Sequence, residues 1–157
     1  MARRIVTGNN AEGRSYFVSD TVVPEMHLWE TLESDRLGVA TDGSPTRHLP
    51  TTAPNIEPPP GASKAVRVSM QPWKAMKEQM KAQPIPGLDS EGFHRTATID
   101  YIMIVDGEVD LVLDEARTTV RAGDLVVQRN TNHAWHNNTD RPVDFWGVMI
   151  SVAVSGQ

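Results

Sequence analysis

Ile99-Asp-Tyr-Ile-Met-Ile-Val-Asp-Gly-Glu-Val-Asp-Leu-Val-Leu113 is a pair of apolar-rich runs interrupted by Asp106-Gly107. Ile, Val, Leu and Tyr suit the pleated, half-buried surface of a strand, and Asp-Gly suits the positive φ of a tight turn, so the segment predicts a β-hairpin. Turn signals recur closely on its C-terminal side. Asp114-Glu-Ala-Arg117 precedes a strand at 118–121, Ala122-Gly-Asp124 precedes one at 125–129, and Asn130-Thr-Asn132 leads into His133-Ala-Trp-His136. A long apolar run at 143–152 supplies a closing strand. Many short strands at close spacing, with little helix, predict a sandwich or barrel.

On the N-terminal side, Lys64-Ala-Val-Arg-Val-Ser-Met70 alternates with the period of a half-buried strand. Residues 72–82 are helix formers with Pro72 at the start and Pro84 and Pro86 just beyond, and predict one short helix whose Trp73, Met76 and Met80 make a packing stripe. From 43 to 61 the chain turns rich in Pro, Thr and Ser. Proline lacks a backbone donor, so this stretch predicts an extended surface connection. Short strands are expected near 5–6, at 15–19 and at 27–31. The expected organisation is one structural domain, with residues 1–61 as N-terminal strands and Pro-rich connection packing on a barrel at 62–157.

Composition narrows the function. A formal net charge of -5 and a pI near 5.5 exclude a general nucleic-acid binder, which needs a concentrated basic surface, and point to small-molecule partners. With no cysteine, a metal site must use His, carboxylate or hydroxyl groups. No apolar run approaches the ~20 residues that span a bilayer, and the N-terminus lacks a secretory h-region, so a cytoplasmic protein without membrane association is expected. Strands before Asp20 have few local partners in the sequence, which predicts a homodimer that covers them.

Two stretches resemble the cupin superfamily. Residues 92–107, Gly-Phe-His-Arg-Thr-Ala-Thr-Ile-Asp-Tyr-Ile-Met-Ile-Val-Asp-Gly, resemble the first cupin motif: His94 matches its first His, Asp100 stands where it has Glu, and Gly107 matches its turn glycine. Residues 123–137 resemble the second motif through Gly123, His133 and Asn137. Thr96 replaces the motif's second His, and the usual Pro-x-Gly is absent around 129–131, so a three-His site does not carry over. The resemblance implies an all-β fold, a double-stranded β-helix (jelly-roll barrel), and a divalent metal of the Fe, Mn, Ni or Zn kind held by His94, Asp100 and His133.

Parity supports a shared pocket. Residues 94, 96 and 100 fall on one face of a regular strand, and His133 arrives from another. Two imidazoles and a carboxylate suit those metals, with Thr96 placed to hydrogen-bond a metal-bound water from the vacated His position. The same residues also make a satisfied polar network or an organic-ligand site without metal. His136 is one residue out of phase and is expected off the inner face, while His27 and His48 read as surface. Asp100, Tyr101 and Gln128 are the catalytic candidates; Thr96, Arg129 and Trp135 are the substrate-binding candidates, Arg129 and Arg95 as carboxylate forks. The expected activity is a metal-dependent enzyme on a small oxygenated or carboxylated metabolite, with lyase or decarboxylase chemistry ahead of dioxygenase or isomerase chemistry. The alternative is a non-catalytic small-molecule-binding cupin.

Overall fold

The computed structural model describes residues 2–9, 14–23, 29–31 and 56–153. In chain order the elements are β1 (Ala2–Asn9), β2 (Ser15–Val23), β3 (Trp29–Thr31), β4 (Ser63–Met70), α1 (Trp73–Ala82), β5 (Thr98–Asp106), β6 (Glu108–Leu113), β7 (Arg117–Arg121), β8 (Leu125–Arg129), β9 (His133–His136) and β10 (Val143–Ser151). The predicted strands and the helix are all present; from β3 onward their ends shift by a residue or two, whereas β1 and β2 run three and four residues beyond the expected bounds. His27, His48 and most of the Pro-rich connection lie outside the described residues.

Two antiparallel sheets face each other, one ordered β3-β4-β10-β5-β8 and the other β7-β6-β9. The core lies between them. Ile102 and Ile104 of β5 and Val143 and Phe145 of β10 meet Val109 and Leu111 of β6, Val120 of β7 and Trp135 of β9. Each strand contributes alternate residues, as a pleated strand with one buried face requires. This is the expected all-β double-stranded β-helix.

One local expectation is corrected. Asp106-Gly107 does not close a hairpin: β5 pairs with β10 and β8, whereas β6 pairs with β7 and β9. The turn carries the chain from one sheet to the other. Gly107 has φ 89° and a Cβ there would lie 3.2 Å from Val143 Cγ2, so positive φ and close approach both select glycine, but for a corner. Ala122-Gly123-Asp124 makes a second such crossing, from β7 to β8. β1 and β2, expected to have few local partners, pair with each other over their whole length.

α1 lies over the C-terminal end of β9. Trp73 stacks on His136 with centroids 4.2 Å apart, and the Trp73 amide donates to the Asn137 carbonyl at 2.6 Å. Asn137 is fully buried: its amide donates to the carbonyls of Met70 and Arg141, tying the end of β4 to the β9–β10 connection.

Candidate functional site

His94 precedes β5 and pairs with His133 of β9 through two reciprocal backbone hydrogen bonds of 3.0 Å. That bridge brings the rings together, with centroids 4.2 Å apart and planes tilted by 55°. A carbonyl can only accept, so the ring nitrogen facing it must carry the proton. His94 Nδ1 donates to the Gly92 carbonyl at 3.1 Å and His133 Nδ1 to the Thr131 carbonyl at 2.9 Å. Both neutral rings therefore present Nε2 as the basic nitrogen, the tautomer a ligand needs. Burial pushes the His133 pKa down to about 4, reinforced by the neighbouring His94, and lowers that of His94 as well.

Gln128 sits beside this pair. Its Nε2 lies 2.5 Å from His133 Nε2, the acceptor nitrogen, while its Oε1 is buried without a partner. Directly opposite on β5 is Asp100, also buried, with Oδ1 unpartnered. Burial raises the Asp100 pKa, partly opposed by a hydrogen bond from Thr98. Thr98 and Thr96 hydroxyls are 2.7 Å apart. Either hydroxyl of this pair can donate, and the order Thr96, Thr98, Asp100 lines hydroxyls up toward the buried carboxylate.

Thr96 and His94 open onto a cavity of about 220 Å³, whose rim includes Arg95, Glu57 and Gly87. The Glu57 carboxylate accepts from the Ala97 amide at 2.9 Å and so holds the rim to the start of β5.

The structure brings together His94, His133, Gln128, Thr96 and Asp100. Asp100 stands across Gln128 from the histidines, and no cluster of three His, Cys, Asp or Glu side chains able to hold a metal ion forms among the described residues. His94 and His133 through Nε2, with the buried Oε1 of Gln128 in the turned-over amide, would offer a different donor set. Two imidazoles and one carbonyl-type oxygen fit a divalent ion of the expected kind.

Three expected side chains lie elsewhere. Tyr101 follows Asp100 directly, so the pleat aims it at the outer face, where it is exposed. Arg129 follows Gln128 and is exposed for the same reason; Arg95 is the arginine at the cavity. Trp135 shares the phase of His133 but lies behind it in the core, edge-on to His133 and stacked on Phe145. His136 is off the inner face as parity predicts.

Two inward residues escaped the sequence reading. Thr98 is buried between Thr96 and Asp100. Lys64 is buried on β4 in the same cross-sheet row as Met149, Asp100 and Gln128, with Nζ donating to the Ile56 carbonyl at 2.5 Å. Its signal was phase: Lys64 shares parity with Val66, Val68 and Met70.

Comparisons with known proteins agree with this architecture. The sequence profile of the cupin domain matches residues 83–152. The chain is 32% identical, over 98% of its length, to phomopsin biosynthesis cluster protein C' of Diaporthe leptostromiformis and covers 78% of that protein. It is 31% identical, over 87% of its length, to the cupin-domain-containing oxidoreductase fogC of Aspergillus ruber and covers 64% of it. Among solved structures it is similar to a cupin 2 conserved barrel domain protein from Salinispora arenicola CNS-205, at 22% identity over 68% of this chain and 72% of that one, with a TM-score of 0.44. With a cupin-domain match over its barrel and a similarity that runs almost its full length, the chain belongs to the cupin family.

Proposed function

We propose that this cupin is an enzyme acting on a small oxygenated or carboxylated metabolite, with Asp100 exchanging a proton with substrate held in the 220 Å³ cavity. The observation that carries this reading is the 2.7 Å Thr96–Thr98 hydroxyl pair, which leads from the cavity wall toward Asp100, buried and raised in pKa. A raised carboxylate is a stronger base near neutral pH, and general acid–base catalysis works best when the group's pKa approaches the working pH.

In this relay a substrate proton passes to Thr96 as Thr96 gives its own to Thr98 and Thr98 gives its own to Asp100. The reverse relay returns a proton to carbon or oxygen. Arg95 at the rim suits a carboxylate through its fork of N–H donors. His94, His133 and Gln128 would hold a divalent metal of the Fe, Mn, Ni or Zn kind, which when bound supplies Lewis-acid polarisation of a substrate oxygen. Trp135 backs His133 and fixes the ring from behind.

Proton transfer beside a carbonyl is the common step of lyase and decarboxylase chemistry, and that class is the first reading. A second reading, oxidoreductase chemistry, is favoured by relatives such as fogC, which bears that description. The deciding experiment is a turnover screen of keto acids and hydroxy acids on metal-reconstituted protein, followed for carbon dioxide release, water loss and oxygen uptake. Product without oxygen uptake supports the first reading, and oxygen uptake the second. No turnover with any of them, together with ligand-dependent thermal stabilisation, makes the protein a small-molecule binder.

A further inference from the structure

His94 takes its tautomer from a loop, and that loop is held from outside the site. Nδ1 of the ring donates to the Gly92 carbonyl at 3.1 Å. Gly92 lies between two planar peptide units, and each unit is hydrogen-bonded at both ends. In the unit joining Gly92 to Phe93, the N–H donates to the Asp89 carboxylate at 2.8 Å and the C=O accepts from His94. In the unit joining Glu91 to Gly92, the N–H donates to the Asp89 carbonyl at 3.0 Å and the C=O accepts from His136 Nε2 at 2.9 Å. Between them Gly92 has φ 80°, and a Cβ there would lie 3.2 Å from Trp73 Cη2, so the loop packs directly on the ring against which His136 is stacked.

A planar peptide unit turns as one body, so fixing its N–H fixes the direction of its C=O. Asp89 thereby aims the Gly92 carbonyl at His94 Nδ1, and His136 fixes the preceding unit from which Gly92 continues. With the proton held on Nδ1, the lone pair of His94 is on Nε2, the nitrogen a metal ion needs. We infer that Asp89 and His136 are positioning residues for His94, which keep its proton on Nδ1 and its Nε2 free for a ligand although neither lines the cavity. The inference rests on the reading of His94 as a metal-holding residue, but the tautomer belongs to the chain alone and is measurable without metal.

The test uses the full chain freed of metal by chelator, with heteronuclear NMR of the His94 ring nitrogens above the ordinary histidine pKa of 6.5. The native chain should show one tautomer, protonated on Nδ1. Asp89→Ala releases the Phe93 N–H, and His136→Phe removes the donor to Glu91 while keeping a ring on Trp73; in each, the Nε2-protonated form should appear. Asp89→Asn keeps an acceptor oxygen and should restore the native spectrum. His136→Phe decides alone if Asp89→Ala fails to fold. Zinc titration calorimetry gives a second reading: affinity should fall about 10–100-fold in Asp89→Ala and His136→Phe, and recover in Asp89→Asn. A variant whose tautomer stays native removes that residue from the role. A native chain protonated on Nε2, an Asp89→Asn spectrum as altered as that of Asp89→Ala, or unchanged zinc affinity where the tautomer has shifted overturns the inference. If the native chain takes up neither zinc nor manganese yet the tautomers respond as expected, the metal reading falls and the positioning role stands.

Discussion

Asp100 and Gln128 face each other across β5 and β8, and each buries one side-chain oxygen that meets no donor. Two neighbouring buried acceptors are unfavourable unless something brings them a cation, a proton or another donor. The two residues differ in their surroundings: Gln128 touches His133, whereas Asp100 is bonded through Thr98 to the cavity wall. They therefore divide the work, and substitutions should separate them. His94→Ala, His133→Ala and Gln128→Ala should each reduce bound metal measured by elemental analysis and titration calorimetry. Asp100→Asn should keep the metal while turnover falls by roughly 10²–10⁴-fold. Loss of metal from Asp100→Asn would make Asp100 the ligand and Gln128 the bystander.

Acid should destabilise the metal-stripped protein through its histidines. The folded pKa of His133 is about 4, below the ordinary 6.5, so the unfolded chain binds more protons between those values. Stability contributed by neutral His133 is complete above pH 6.5 and is lost as pH falls toward about 4, a change of about 3 kcal/mol; His94 acts in the same direction. Asp100 has the opposite sign: its raised carboxyl favours the folded state when protonated and loses that contribution as pH rises through its folded pKa. Denaturant midpoints across this range should fall with acid for the native chain, and the slope should flatten in His133→Asn.

Thr98→Val tests the relay without removing either end. Valine keeps the shape and the β-branching but cannot pass a proton, so metal content should stay at the native level while turnover drops and its pH profile shifts. Thr98→Ser should recover most of the rate. If Thr98→Val is fully active with an unchanged profile, protons reach Asp100 by another route.

Tryptophans on the two faces should respond differently to truncation. Trp135 is packed in the core between His133 and Phe145, and Trp135→Ala should cost about 3–5 kcal/mol in denaturant unfolding. Trp146 is on the outer face, and Trp146→Ala should leave the unfolding free energy of a dilute monomer within about 1 kcal/mol.

The strands were legible because their signal is local: alternation and turn chemistry at 117–136 place β7, β8 and β9 within a residue of their observed bounds. Pairing was not legible. Asp106-Gly107 carries a strong hairpin signal, but a glycine with positive φ serves a corner between sheets as well as a two-residue turn, and only Val143 packed against it decides. His94, His133, Thr96 and Asp100 followed from motif position and parity. The same parity rule points Tyr101 and Arg129, each adjacent to an inward residue, to the outer face, where both are exposed. Lys64 shows the reverse: a charged residue in the apolar phase of a strand reads as surface until the structure buries it.

β9 assigns a separate task to nearly every one of its four residues. His133 faces the site, Ala134 is fully buried, Trp135 fills the core, and His136 seats the helix through Trp73. A strand slipped by one position reverses every side chain, so gaining or losing a residue here would at once turn an imidazole into the core, an indole out of it, and leave α1 without its seat. Length drift in this protein must therefore fall elsewhere, in the connections on either side of β9, and a homologous chain that varied β9 by one residue would have to rebuild pocket, core and helix together.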